Sequence, residues 1–163
     1  MSSKTVLITG TSTGGIGHAL ALAFQRRGAT VFATARSISK MQDLASLSNV
    51  YLLSLDVTSP ESIAAAAKEV ETKTGGKLDV LINNAGIQYI MPVLDINIEK
   101  ARDVFEANYW GPLWMIQIFK EMLVKAKGTI VNVGSGASIV YMPFQSEFIP
   151  LPECLPKPGQ RKS

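Results

Sequence analysis

Short β-branched runs alternate with longer stretches of helical periodicity along this chain, and this order is the feature that most restricts its fold. The predicted strands are 5–9, 30–35, 50–56, 78–83 and 129–133, and each is apolar nearly throughout. Continuous apolar runs are typical of strands that are buried on both faces. Because strands and helices alternate, the sequence predicts an α/β fold with a doubly wound parallel sheet.

The segments between these strands carry the start and stop signals of helices. The first predicted helix, 16–27, ends before Gly28, a residue type that commonly terminates helices. The second follows the N-cap Ser59, has proline at its first position and closes at Gly75. The predicted apolar stripe of the first helix comprises Ile16, Leu20, Ala23 and Phe24.

A third periodic stretch, 98–127, contains Gly111 followed by Pro112. Proline lacks a backbone N–H and disturbs the turn before it, so this pair predicts either a kink or a division into two helices. Trp110 and Trp114 have the spacing of one helix face, and we expect both of them in the core.

Composition restricts function and location. The net charge is +3, but the sixteen Lys and Arg residues form no block of five or more, which argues against nucleic-acid binding. No run approaches the roughly 18–20 apolar residues of a membrane span, and we expect a cytoplasmic protein. The single cysteine, Cys154, fits a reducing compartment. No His, Cys and carboxylate cluster has metal-ligand spacing, so we expect no metal.

Residues 143–163 differ in composition from the rest of the chain. Five of the eight prolines lie in this segment, where helices and central strands are hard to sustain. We therefore expect an irregular, proline-rich tail after a folded domain of residues 1–142.

A glycine-rich turn, Thr9-Gly-Thr-Ser-Thr-Gly-Gly-Ile-Gly17, connects the first predicted strand to the first helix. Glycines allow the backbone to approach a pyrophosphate closely, and free N–H groups at the helix N-terminus face the anion. A P-loop is excluded because Ile16 stands where its lysine is required. The alternatives are a dinucleotide-binding turn and a tight connection without a ligand.

This turn resembles the T-G-x-x-x-G-I-G motif of the short-chain dehydrogenase/reductase family, with one extra residue before Gly15. Segment 21–36 is similar to the family branch that contains NADPH-dependent acyl-dihydroxyacetone-phosphate reductases. The resemblance covers residues 4 to about 144. Further motifs occur in the order of the family: Asp56-Val57, Asn83-Asn84-Ala85-Gly86, Asn108 within 107–111, and 128–135, which ends at Ser135.

The resemblance implies a Rossmann-type sheet and a nicotinamide cofactor. NAD enzymes place an acid after the second strand, whereas the 2′-phosphate of NADP requires a cation there. Arg36 occupies that place, no acid occurs until Asp43, and Ser12 adds a hydroxyl, so we expect NADP(H). The implied cofactor-binding residues are Gly10, Ser12, Gly15, Ile16, Gly17, Arg36, Asp56, Val57, Asn83, Ala85 and Gly86.

The resemblance also implies that Ser135 polarises a substrate carbonyl and that Asn108 joins a proton relay. In the family a Tyr-x-x-x-Lys pair completes the chemistry, but Phe148 and Pro152 stand at those positions here. Two interpretations remain open. One is a carbonyl reductase or alcohol dehydrogenase for a small molecule such as an acylated ketone, and the other is a nucleotide-binding fragment without catalysis.

Family members continue with further strands and helices, so the resemblance implies a sheet that is incomplete at its C-terminal side. We expect the strand 129–133 to lack a covering helix on one face. An apolar strand exposed at a sheet edge favours pairing with other chains, which predicts marginal stability or aggregation. A homo-oligomer is a further expected assembly.

Overall fold

All strands of the sheet are parallel, as the alternation in the sequence predicts. The computed structural model describes residues 3–136, and the predicted tail lies outside them. The strand order is β3-β2-β1-β4-β5, so the chain reverses its direction of winding between the neighbours β1 and β4. The strands are β1 Thr5–Thr9, β2 Thr30–Ala35, β3 Val50–Ser54, β4 Val80–Asn83 and β5 Thr129–Asn132.

Helices cover both faces of this sheet, which confirms the doubly wound prediction. α1 packs on one face, whereas α2 and α4 pack on the other. A 3₁₀ segment, Ile38–Leu44, comes after β2, and a shorter one, Val93–Asp95, precedes α3. Among residues 3–136 we find no helix with the length and apolar character needed to cross a membrane. The helices are α1 Ile16–Arg26, α2 Pro60–Thr74, α3 Ile98–Phe105 and α4 Gly111–Ala126.

The buried residues of β1 alternate between two halves of the core, as the side chains of a strand must. Leu7 lies under α2 and α4, whereas its neighbours along the strand belong to the cluster under α1. α1 buries Gly17 and Ala21 most deeply, because small residues let the helix approach the sheet. The predicted stripe was therefore wrong at Ile16, which is 66% exposed, and at Ala23, which is also exposed.

β3 and β5 form the two edges of the described sheet and are less buried than the other strands. Among residues 3–136, β5 pairs with β4 alone, and its Val131 is 40% exposed. Tyr51 of β3 is exposed as well, although its ring stacks on that of Phe32. The prediction that every strand is buried on both faces was wrong for these two, since an edge strand has only one strand neighbour to cover it.

The third periodic stretch is continuous, and a π-helical turn, Glu106–Trp110, joins α3 to α4. The Gly111 N–H donates to the carbonyl oxygen of Glu106, five residues earlier, just before Pro112 interrupts the donor series. The structure thus shows a local widening of one helix rather than a division into two.

Both tryptophans of this helix are partly exposed, so their predicted place in the core was wrong. Trp110 is 46% exposed and Trp114 is 39% exposed. α4 instead buries the stripe that contains Met115 and Phe119. Each tryptophan precedes a stripe position by one residue, which rotates it by about 100° around the helix axis.

Candidate functional site

A cavity of about 850 Å³ lies at the carboxyl ends of the strands. Loops after β1, β2, β3 and β4 meet there because all of these strands are parallel. In doubly wound sheets this edge, at the point where the winding reverses, is where ligands bind. The wall includes most of the residues that the sequence predicts for a cofactor, namely Gly10, Ser12, Ile16, Arg36, Asp56, Val57, Ala85 and Gly86.

Glycine is required at two positions of the glycine-rich turn because other backbone atoms approach them closely. Gly10 has a φ of +72°, and a Cβ added there would lie 2.8 Å from the Cα of Ala85. A Cβ on Gly17 would overlap the carbonyl oxygen of Gly10 and lie 2.5 Å from Nδ2 of Asn84. At these two positions the turn, α1 and the loop after β4 are therefore packed together without space for a side chain.

The N-terminus of α1 differs from those of α2 and α3. Ser59 and Asn97 cap α2 and α3 by accepting backbone N–H groups, and an acid lies in the first turn of each. The N-cap of α1 is Gly15, which has no side chain that could cap the helix, and the first turn of α1 contains no acid. The first N–H groups of a helix have no intrahelical acceptor and attract anions. This end of α1 fits the pyrophosphate of a dinucleotide.

Thr9 and Asn84 hold the loop after β4 against the glycine-rich turn. The Thr9 hydroxyl accepts hydrogen bonds from the N–H groups of Asn84 and Ala85, each at 2.9 Å. Nδ2 of Asn84 donates to the carbonyl oxygens of Thr9 at 2.9 Å and Gly10 at 3.0 Å. The position of one wall of the cavity relative to the other thus depends on polar contacts as well as on close packing.

The structure places the two asparagines of the Asn83-Asn84 pair differently. Asn84 lines the cavity, although its sequence motif did not single it out as a cofactor residue. Asn83 is buried, and its Nδ2 donates to Oδ1 of Asn132 in β5 at 2.9 Å. Successive residues at a strand end point in opposite directions, so only one of the two asparagines was to be expected in the cavity.

Asp56 lies after β3 at the cavity and shapes the loop that it begins. Its Oδ1 accepts hydrogen bonds from the Thr58 N–H at 3.0 Å and the Thr58 hydroxyl at 2.8 Å. The Asp56 N–H donates to the hydroxyl of Ser62 in α2 at 3.0 Å. Val57 is buried beside Gly111, where an added Cβ would lie 3.1 Å from its side chain. This loop is therefore fixed to both α2 and α4.

Asn108 lies in the π-helical turn and anchors the loop after Gly86. Its Oδ1 accepts from the Ile87 N–H at 2.9 Å, and its Nδ2 donates to the Ile87 carbonyl oxygen at 2.8 Å. Within residues 3–136, the cavity wall includes neither Asn108 nor Ser135, nor Gly15 and Gly17. Ser135 lies three residues after the end of β5, and Phe148 and Pro152 lie outside the described residues.

Two acids on the cavity wall, Asp103 and Glu106, were not predicted from the sequence. They come from α3 and the π-helical turn, which reach the cavity from a distant part of the chain. The spacing of charged residues along the predicted helix did not indicate that these two acids face a cavity. In the described part of the chain, no group of three His, Cys, Asp or Glu side chains is arranged to hold a metal ion.

Comparison with known families and proteins gives consistent matches. The sequence pattern described as short chain dehydrogenase matches residues 4–148. A short-chain dehydrogenase of Penicillium crustosum is 54% identical over 138 residues, which cover 85% of this chain and 51% of the relative. The NADPH-dependent 1-acyldihydroxyacetone phosphate reductase of Schizosaccharomyces pombe is 45% identical over 143 residues, or 88% of this chain and 47% of the reductase.

The fold is also similar to solved structures. An alcohol dehydrogenase from the archaeon Thermococcus sibiricus, determined in complex with 5-hydroxy-NADP, superposes with a TM-score of 0.83 at 27% identity. The superposition covers 90% of this chain and 64% of that enzyme. The chain spans about half the length of the curated relatives that it matches.

Proposed function

The chain belongs to the short-chain dehydrogenase family, and from this premise we propose that residues 1–142 form a domain that binds NADP(H). The observation that carries this proposal is the cavity wall, where Arg36 and Ser12 lie together with the uncapped N-terminus of α1. The helix end suits the pyrophosphate, and the guanidinium suits an additional phosphate. Asp56, Val57, Ala85 and Gly86 supply the remaining wall.

Preference for NADP(H) over NAD(H) depends on the charge of the residues after β2. In NAD enzymes an acid there accepts a hydrogen bond from the 2′-hydroxyl of the ribose. In this chain the first acid after Arg36 is Asp43. Asp43 is bonded to Thr13 and paired with His18, and the described cavity wall does not include it. Two similar proteins are named for NADPH dependence or a bound NADP derivative, which supports the same choice.

Titration of the full chain with NADPH and with NADH tests this assignment. Arg36→Ala is expected to weaken NADPH binding by roughly 10–100-fold, the effect of losing a charge-assisted contact to phosphate. NADH binding should change little, because NADH has no 2′-phosphate. Arg26→Ala, at the exposed end of α1, is the matched control and should leave both affinities unchanged. Equal affinity of the unaltered chain for the two cofactors would rule the assignment out.

For the reaction itself we propose the activity that the family suggests, reduction of a small-molecule carbonyl or the reverse oxidation of an alcohol. Ser135 would polarise the carbonyl, and Asn108 would hold the loop at Ile87 in the place that the proton relay needs. The bound cofactor would supply the hydride. The similarity to an acyldihydroxyacetone phosphate reductase favours an acylated ketone as substrate.

A second candidate is nucleotide binding without catalysis, and one feature of the sequence favours it for this polypeptide. Phe148 and Pro152 offer neither a phenolic proton nor a cation, whereas the family uses a tyrosine activated by a lysine. The two candidates differ in one measurement, NADPH consumption by the full chain with a series of ketones. Turnover above the background rate would favour the reductase. Tight NADPH binding without turnover would favour nucleotide binding without catalysis.

We further propose a cytoplasmic location and a homo-oligomeric assembly. The location is supported by the lone cysteine, Cys154, which cannot form an internal disulfide. The assembly is supported by Val131, an apolar side chain that β5 exposes.

A further inference from the structure

A cluster of polar side chains next to the cavity has no part in the function proposed above. Oγ1 of Thr13 lies 2.7 Å from Oδ1 of Asp43, and Nε2 of His18 lies 2.5 Å from Oδ2 of the same carboxylate. Thr13 belongs to the glycine-rich turn, Asp43 to the 3₁₀ segment and His18 to α1. We call this cluster the Thr13–Asp43–His18 clasp. It joins three separate pieces of chain through one carboxylate.

Backbone contacts reinforce the clasp. The Thr13 N–H donates to the carbonyl oxygen of Lys40 at 2.8 Å, so both the main chain and the side chain of Thr13 face the 3₁₀ segment. The Thr11 N–H donates to the carbonyl oxygen of Thr34 in β2 at 3.0 Å, and its hydroxyl lies 2.8 Å from the sulfur of Met41. The turn is therefore attached to β2 and the segment after it at residues 11 and 13.

Ser12 lies between these two attachment points, and its position is set by them. Arg36 lies at the other end of the same connection, two residues before the 3₁₀ segment begins at Ile38. Both Ser12 and Arg36 line the cavity. Any movement of the turn away from the 3₁₀ segment would therefore change the separation of the hydroxyl and the guanidinium.

The electrostatics of the clasp agree with a carboxylate that remains charged. The hydrogen bond from Thr13 is the largest influence on the pKa of Asp43 and lowers it below its ordinary value. Desolvation opposes this effect and raises the pKa, and His18 lowers it through smaller contributions from its hydrogen bond and charge. The His18 side chain is 14% exposed and that of Asp43 is 42% exposed, so His18 lies on the buried side of the pair and Asp43 on its solvent side.

We propose that Asp43 is a positioning residue, which holds Thr13 and His18 so that Ser12 and Arg36 are spaced for the 2′-phosphate of NADP(H). The turn is one residue longer than the family motif, and Thr13 lies in this lengthened part, where an added attachment limits its freedom. The inference rests on the proposed NADP(H) function. In this role Asp43, the first acid after β2, is bonded to Thr13 and His18 and does not accept a hydrogen bond from the ribose.

The ratio of the affinities for NADPH and NADH distinguishes a positioning role of Asp43 from a general contribution of this residue to folding. The pyrophosphate end of the site is formed by the start of α1, whereas the clasp acts on Ser12. Thr13→Val and Asp43→Leu are each expected to weaken NADPH binding about tenfold while NADH binding changes less than about twofold, a loss typical of one hydrogen bond to a charged group. Both substitutions remove the Thr13–Asp43 bond, but Thr13→Val also takes the hydroxyl away from the Lys40 carbonyl oxygen, 3.0 Å distant, and Asp43→Leu also removes the contact with His18. The double variant should therefore lose less than the sum of the two single losses.

The experiment is a titration of the full 163-residue chain with NADPH, and with NADH by competition. Thr13→Ser keeps the hydroxyl and should restore the selectivity of the unaltered chain. Thr72→Val is the matched control, since it removes an exposed hydroxyl that donates to the Lys68 carbonyl oxygen far from the cavity. Thermal unfolding of each variant shows that the folded state persists.

The outcomes separate the inference from the function on which it rests. Selective loss of NADPH affinity that Thr13→Ser reverses supports the positioning role. Equal losses for both cofactors, or none, would overturn it while leaving the NADP(H) site intact. Failure of the unaltered chain to bind NADPH would overturn the proposed function and the inference together.

Discussion

The cofactor side of the sheet and its β5 side differ in how completely the described residues cover them. On the cofactor side, β1 is buried, and the turn after it is bonded to β2, to the 3₁₀ segment and to the loop after β4. On the other side, Val131 of β5 is exposed, and so are Trp110 and Trp114 on the helix that packs against β4 and β5. The half that contains the proposed NADP(H) site is thus built from contacts among residues 3–136, whereas the β5 side presents apolar side chains such as Val131 to solvent.

Two pairs of glycines at the carboxyl ends of the strands show the same contrast, although Gly14 in the glycine-rich turn also has open space around it. Gly10 and Gly17 are surrounded so closely by backbone that no side chain fits. Gly134 and Gly136, beyond β5, would accept a Cβ with no heavy atom within 4 Å. Close packing at Gly10 and Gly17 fixes the turn sterically, whereas Gly134 and Gly136 leave room for a side chain.

The largest expected effect is that of a side chain at Gly17. Gly17→Ala should lower the free energy of unfolding by about 1–3 kcal/mol, because the new Cβ displaces the Gly10 backbone or Asn84. NADPH binding should weaken at least about tenfold, since the same displacement moves the turn that faces the phosphates. Urea unfolding and NADPH titration measure the two effects.

Gly134→Ala is the control for this prediction and tests the comparison directly. The substitution adds the same methyl group on the β5 side, where the structure leaves space for it. Its unfolding midpoint and NADPH affinity should match those of the unaltered chain. If Gly134→Ala were as damaging as Gly17→Ala, the contrast between the two sides would be lost.

The second prediction concerns the exposed edge. We expect the chain to self-associate through β5, which is the edge of the sheet among residues 3–136, because an apolar edge strand pairs readily with another. Val131→Lys places a charge in that strand and should weaken self-association by roughly tenfold, which corresponds to about 1.4 kcal/mol. Sedimentation at several concentrations measures the effect.

Val124→Lys is the matched substitution for this edge. Val124 is exposed on α4, so the same charge is added away from the β5 edge. Self-association should remain unchanged in this variant. If the unaltered chain is monomeric at all concentrations, the exposed edge of β5 does not cause self-association.

Local signals explain why much of the cofactor side was predictable. The glycine-rich turn lies within nine residues of sequence, from Thr9 to Gly17, and its constraints act between neighbours. Ser59 was likewise identified as the cap of α2 from the residues after it, and it does accept the Ser62 N–H. Features of this kind are specified by residue type and spacing alone.

Contacts between distant segments explain what the sequence did not reveal. The 3₁₀ segment depends on Met41 and Leu44 being buried, which only the folded sheet provides. Trp110 and Trp114 had the spacing of a buried face, but the sheet selected a neighbouring stripe of the helix. Asp103 and Glu106 reach the cavity only because the π-helical turn brings their helix to it.

The smallest expected effect is a pH dependence of stability that arises from Asp43. Its pKa is lowered in the folded chain from an ordinary value of 3.8, chiefly by the hydrogen bond from Thr13. A lowered pKa means that the charged carboxylate favours folding. The contribution is therefore fully present above the ordinary pKa and is lost as the pH falls through the lower, folded value.

Comparison of the unaltered chain with Asp43→Asn isolates this contribution. The difference in free energy of unfolding between them should be constant above about pH 5 and shrink below about pH 4, because the carboxyl group becomes protonated there. Glu61→Gln on α2 is the control: the pKa of Glu61 is lowered from 4.5 by hydrogen bonds from its own backbone N–H and from Ser59, so its contribution should also fade in acid. Only Asp43→Asn should alter the preference for NADPH, because Glu61 lies outside the clasp. If the difference in free energy of unfolding fades in acid for both variants, and neither variant changes the preference for NADPH, then Asp43 acts only in a surface ion pair. That result would remove the distinction between the cofactor side and the rest of the molecule.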